Sequence, residues 1–245
     1  MMSEKIPFEF MSPIAGLTLV EECRIQPSIN YIPDSWKKLP QAVEMPLKDI
    51  NPWDIGKYYG SSVPSTTAKG CPSFIDIFQD GFVYPAPCDL YFYYDKKSRE
   101  NRWEAALDNI TIRSHGDEQY VNHVPQSGFQ HVFKLDYVWC GFTPPGYSIR
   151  QIPMLWHHNP YFEVAYGVIH TDMYHQINPQ IMMRDGIKEF EIKQGEPLCY
   201  LVPYKRENYE LKFSEWDLNR VNAGNIRSIG KFKKPYLSLF KKINK

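Results

Sequence analysis

The stretch that decides the fold begins at Tyr147-Ser148-Ile149-Arg150-Gln151-Ile152 and continues through Val164-Ala165-Tyr166-Gly167-Val168-Ile169 and Gln176-Ile177-Asn178-Pro179-Gln180-Ile181-Met182-Met183. Glu189-Phe190-Glu191-Ile192 and Leu198-Cys199-Tyr200-Leu201-Val202 complete it. These are short runs rich in β-branched and aromatic residues, and turn signals separate them. Pro144-Pro145-Gly146 opens the series. Arg184-Asp185-Gly186 reads as a hairpin turn, because Asp-Gly supplies positive φ at little cost, and Gln194-Gly195-Glu196 reads as another turn. Short strands at this spacing predict a mainly β fold: a jelly roll or double-stranded β-helix, or a related sandwich, with a few short helices.

Working outward, the same signal extends toward the N-terminus through Phe82–Tyr84, Leu90–Tyr94, Trp103–Ala106, Ile110–Arg113 and the run from Phe129 to Cys140. Residues 115–127 read as a loop. Cys71-Pro72-Ser73-Phe74-Ile75-Asp76-Ile77-Phe78 predicts a short helix that Gly81 would end. Before it, Pro27, Pro33, Pro40, Pro46, Pro52 and Pro64 interrupt any long helix, since each removes a backbone donor. The expected organisation is therefore a proline-rich extended arm over 1–70, a β-rich core domain over 71–213, and a short helix with a basic tail over 214–245. Ser214-Glu215-Trp216-Asp217 resembles a capping box at the start of that helix.

Composition narrows the class. The chain has 245 residues, 15% of them aromatic, with 20 prolines, which suits many strands and long loops. No window reaches the roughly 20 apolar residues of a bilayer span, and no signal-like run follows Met1, so a cytoplasmic protein without membrane contact is expected. For a phage-encoded chain, that compartment is the host cytoplasm. The five cysteines (Cys23, Cys71, Cys88, Cys140, Cys199) are scattered and odd in number, which suits reduced thiols. Net charge is zero, yet Arg220, Arg227, Lys231, Lys233, Lys234, Lys241, Lys242 and Lys245 crowd 218–245 with no acid among them. Such a tail could contact an acidic partner, or lie solvated on the acidic body of its own chain or of a neighbour's. Tyr58-Tyr59 and Tyr91-Phe92-Tyr93-Tyr94 could stack bases, but no basic stripe accompanies them, which disfavours sequence-specific nucleic-acid binding.

Trp139-Cys140-Gly141, Pro145-Gly146-Tyr147-Ser148, Tyr166 to Asp172, Asn178-Pro179-Gln180 and Pro197 to Pro203 together resemble an uncharacterised protein family of bacteria and their phages. The resemblance implies kinship and lends no activity. Gly167-Val168-Ile169-His170-Thr171-Asp172-Met173-Tyr174 is similar to the substrate loop of the trimeric dUTPase and dCTP deaminase fold, whose pattern is Gly-Val-Ile-Asp-x-Asp-Tyr. Phe190 to Leu198 is similar to the strand–turn–strand that closes that fold. This second resemblance implies a trimeric nucleotide binder with Asp172 and Tyr174 at a cleft between subunits. His170 stands where that family has its water-activating Asp.

The residues that could carry chemistry are concentrated in the same region. His157, His158, His170 and His175 lie near Glu163 and Asp172 in sequence. In extended chain, His170 and Asp172 would share one face, and two imidazoles with a carboxylate suit iron(II). No histidine follows His175, so a third ligand would have to come from His157 or His158. The alternative is that these histidines make ordinary hydrogen bonds at strand ends. Arg150, Glu163 and Tyr174 are candidates for ligand contact. Three functions stay open: a non-catalytic binding or assembly module, homo-oligomeric and phage-associated; an iron-dependent oxygenase or hydroxylase; and a dUTPase-like nucleotide binder.

Overall fold

A computed structural model of the chain describes residues 6–46, 62–70, 72–120 and 128–220. The tail from Arg227 to Lys245, Cys71, Tyr58-Tyr59 and residues 121–127 of the expected loop lie outside the described residues. The chain divides into two compact units, one of Met1–Tyr31 with Asp80–Glu207, the other of Ile32–Gln79 with residues from Asn208 onward.

The larger unit is built from antiparallel strands: β1 (Glu9–Met11), β2 (Gln26–Pro27), β5 (Phe82–Pro85), β6 (Leu90–Asp95), β7 (Glu100–Ala105), β8 (Thr111–His115) and β9 (Phe129–Asp136). The series continues with β10 (Trp139–Phe142), β11 (Tyr147–Pro153), β12 (Phe162–Val164), β13 (Gly167–Ile169), β14 (Gln176–Ile177), β15 (Gln180–Arg184), β16 (Glu189–Ile192) and β17 (Pro197–Lys205). Their order is β13-β11-β17-β5-β2 in the largest sheet and β12-β15-β9-β8 in the next. Two smaller sheets run β1-β10-β14 and β16-β6-β7. The mainly β class with a few short helices is thus what the chain adopts.

Period-two alternation explains the core. In β6, Leu90, Phe92 and Tyr94 are buried while Tyr91, Tyr93 and Asp95 face outward. Phe92 packs on Phe133 at 4.9 Å and on Phe190 at 5.2 Å between ring centroids, and Phe190 continues to Phe162 at 5.3 Å. Burying each such ring contributes about 1.5–3 kcal/mol. β9 and β17 are buried on both faces, as strands with neighbours on either side and covered faces must be. Pro203 sits in β17 beyond its last β5 partner, the Leu201–Phe82 pair. There the ladder with β5 has ended and Pro203 is paired only with Ile149 of β11, so the missing N–H costs no ladder bond on the β5 side.

One expectation needs correction. Asp185-Gly186 does turn, with Gly186 at φ 81°. It does not close a hairpin, however. β15 pairs with β12 and β9, whereas β16 pairs with β6, so the chain passes there from one sheet to another. The turn chemistry was legible; the partner was not.

The smaller unit holds α1 (Asp34–Lys38), the two-stranded pair β3 (Ala42–Pro46) with β4 (Ser62–Thr66), and α2 (Pro72–Ile77). Trp36, 2% exposed, packs edge-on against Phe78 at 5.2 Å and Phe74 at 6.1 Å. The capping signal near Ser214 acts one turn later: Asp217 accepts the Arg220 N–H at 3.1 Å, and residues 218–220 are helical. Among the described residues no helix is long and apolar enough to cross a membrane.

Candidate functional site

The β11–β17 ladder runs from Pro153–Cys199 to Tyr147–Lys205, and the Arg206 N–H extends it by donating to the Gly146 carbonyl at 2.7 Å. This places Arg206 beside the turn that precedes β11. On the other flank of β11, β13 ends at Ile169, and residues 170–174 fold into a turn closed by Met173 and Tyr174 N–H groups on the His170 carbonyl, at 2.9 and 2.8 Å. His170 and Asp172 therefore do not share the face of one extended strand. They meet instead around Arg206.

The Arg206 guanidinium donates to both Asp172 oxygens, at 2.8 Å to Oδ1 and 2.5 Å to Oδ2, a bidentate pair. It also donates to the Ser148 hydroxyl at 2.6 Å and the Tyr147 carbonyl at 3.0 Å. The Gly146 N–H adds a third donor to Asp172, at 2.9 Å. Hydrogen bonds from Arg206, then from the Gly146 N–H, hold the Asp172 carboxyl well below the usual carboxylate range. Thr171, fully buried beside it, meets Thr143 hydroxyl to hydroxyl at 2.9 Å.

Hydrogen-bond bookkeeping fixes the imidazole. His170 Nδ1 lies 2.8 Å from Ser148 Oγ and 3.4 Å from the Arg206 guanidinium, which can only donate, so Nδ1 takes the acceptor role and Ser148 Oγ donates to it. With Nδ1 accepting, the ring proton of neutral His170 sits on Nε2. Ser148 has no exposed surface, which removes it as a nucleophile despite its histidine neighbour.

The remaining candidates have separate uses. His157 Nε2 meets the Tyr31 carbonyl at 2.9 Å, and burial pushes its pKa down, which keeps the ring neutral. His158 is exposed at φ 51°, and Trp156 is also left-handed at φ 68°. His175 stacks on Phe142 at 4.3 Å and donates from Nδ1 to the Thr171 carbonyl at 2.9 Å. Glu163 pairs with Arg184 at 3.1 Å across β12 and β15. The Tyr174 hydroxyl donates to Gln176 at 3.0 Å, its ring 53% exposed. Arg150 is exposed, with its guanidinium over the Tyr204 ring at 4.3 Å.

Among the described residues no three of His, Cys, Asp and Glu come together as a metal ion would require. The donors His170 Nδ1 and Asp172 are bridged by a permanent cation, which opposes a second cation there. The structure thus brings together His170 and Asp172 with three residues that sequence reasoning passed over, Arg206, Ser148 and Gly146. Arg206 stands 34 positions from Asp172, and no local spacing signals such a pairing. A second polar recess is lined by Thr111, Arg113, Lys134, Asp136, Tyr137 and Gln176. It holds Asp136 between Arg113 and Lys134, each at 2.7 Å. No protein-family model, curated protein or solved structure matches this chain.

Proposed function

We propose that this chain is a non-catalytic β-sheet binding module, used in recognition or in a phage-associated assembly. The observation that carries this reading is the engagement of Asp172. Both the iron and the nucleotide-hydrolysis readings need that carboxylate to face a metal or a water, and here Arg206 and the Gly146 N–H occupy it. The cluster ties two strands and a turn into a rigid frame. Next to it in sequence lie exposed apolar side chains: Tyr166, Val168, Met173 and Tyr174, between 48% and 70% exposed. Exposed aromatic and aliphatic residues on a well-held frame suit partner contact.

The test is metal content and ligand response. Protein purified anaerobically and supplied with iron(II) is expected to retain no stoichiometric metal, with His170→Ala and Asp172→Ala indistinguishable from the parent. Deoxynucleotides are expected to leave the thermal midpoint unchanged. Near-stoichiometric metal lost in both variants, or a midpoint raised by dUTP, would replace this reading with an enzymatic one.

A further inference from the structure

We infer that the exposed β13–β11 edge around Arg150, Val168 and Tyr166 is a docking surface for a carboxylate-bearing, apolar-flanked peptide segment of a partner protein, with Arg150 as its anchor. The inference rests on the binding-module reading and names the partner's chemistry.

Register and burial define the face. Val168, Arg150 and Val202 stand opposite one another across the three strands, so their side chains point to the same side; Val202 is covered there with Tyr200 by Tyr31, Ile152 and Met154, which leaves Arg150 and Val168 as the exposed pair. Ile149 and Ile169, the neighbouring pair, point to the opposite side, where Ile149 is fully buried. Tyr204 lies two residues beyond Val202 on the same side, and the Arg150 guanidinium carbon lies over its ring, 4.3 Å from the centroid. At the rim Val168 is 48% and Tyr166 64% exposed.

Charge then selects the occupant. Arg24, Arg102, Arg113, Arg184 and Arg206 each hold a carboxylate of this chain. Arg150 is exposed, and among the described residues no carboxylate is paired with it. The contact with the Tyr204 ring uses none of the guanidinium N–H donors, which can receive the two oxygens of a carboxylate. A single guanidinium matches one negative charge, while Val168 and Tyr166 beside it ask for apolar side chains. That combination favours a peptide Glu or Asp between apolar residues over a phosphate, whose double charge would call for more cations. His170, one residue past β13 and exposed, adds an Nε2–H with no partner among the described residues.

The experiment uses the full chain and fluorescein-labelled peptides of alternating Val-Glu, Val-Gln and Val-Lys sequence, read by anisotropy. The Val-Glu peptide is expected to bind at least about tenfold more tightly than Val-Gln. Arg150→Gln is expected to erase that difference, and Arg150→Glu to transfer the preference to Val-Lys, with circular dichroism showing both variants folded. Equal binding of Val-Glu and Val-Gln, or a preference that survives Arg150→Gln, overturns the inference. So does displacement of the peptide by inorganic phosphate or free glutarate at the peptide's own concentration, since the face would then hold a small anion. Stoichiometric iron would defeat the binding-module reading without altering the peptide discrimination, so the two failures are separable.

Discussion

Replacing Gly81 by alanine tests the packing logic of the larger sheet most directly. Gly81 has φ 88°, and a Cβ built on it would lie 2.4 Å from the Leu201 carbonyl oxygen and 3.0 Å from Val202 Cα and Pro203 Cδ. These are backbone and ring atoms of β17, the central strand, and they have no rotamer by which to retreat. Three costs combine. The left-handed backbone with a Cβ costs about 1–2 kcal/mol. Overpacking against β17 costs about 1–3 kcal/mol. Displacement also strains the Ser28 N–H bond to the Gly81 carbonyl, 3.2 Å long, and losing it costs about 0.5–1.5 kcal/mol. The expected destabilisation is about 3–6 kcal/mol, a large share of the roughly 5–15 kcal/mol of a typical domain. Gly186→Ala is the control, because Gly186 has nearly the same φ, 81°, with open space around it, so only the backbone cost of about 1–2 kcal/mol applies. Urea unfolding followed by circular dichroism, with equal slopes checked, measures both. If the two variants lie within about 1 kcal/mol of each other, the clash with β17 is not real and the reasoning fails.

Three further outcomes are expected. The Asp172 carboxyl should titrate well below the usual carboxylate range in a carbon-detected NMR series, and Arg206→Gln should move its midpoint upward. Because its folded pKa is depressed, its contribution to stability is present above the unfolded carboxylate pKa and is lost only as pH falls toward the lower folded value; clasp resonances that collapse near pH 4 to 5 would contradict this. Burial pushes the Cys23, Cys88 and Cys199 thiols up, so Ellman's reagent at pH 8 should leave Cys199 unmodified until denaturant is added, and rapid native labelling there would mean an open core. Tyr137, 52% exposed, holds φ 61° between β9 and β10; Tyr137→Gly should be about 1 kcal/mol more stable than Tyr137→Ala, and equal unfolding midpoints would count against backbone strain there.

What the sequence made legible was periodicity. β5, β6, β11, β16 and β17 fall where aromatic and β-branched alternation puts them, because side-chain period two is a local property. Which strand lies beside which is not local. The β15 to β16 segment carries strong hairpin chemistry in Asp185-Gly186, yet its strands join different sheets, because the buried faces of Ile181, Met183, Phe190 and Ile192 are satisfied across the core. The same gap explains the site. His170 and Asp172 were visible as a spacing, but their meaning depended on Arg206, which reaches them only because the β11–β17 register ends at Tyr147–Lys205. The turn at 170–174 then removed the shared strand face that an iron site would have needed.

The position of β17 has a consequence for how the chain comes into being. β17 is the middle strand of the largest sheet and the last strand of that unit to be synthesised, and it alone joins β5 to β11. Until residues 197–205 leave the ribosome, Val83 and Ile149 have no common neighbour, and their strands present unpaired edges to solvent. Loop closure over such separations makes folding slow, and exposed edges make the waiting chain prone to association. Release of a chain truncated before Pro197 should therefore yield an aggregate or a chaperone client rather than a smaller folded body.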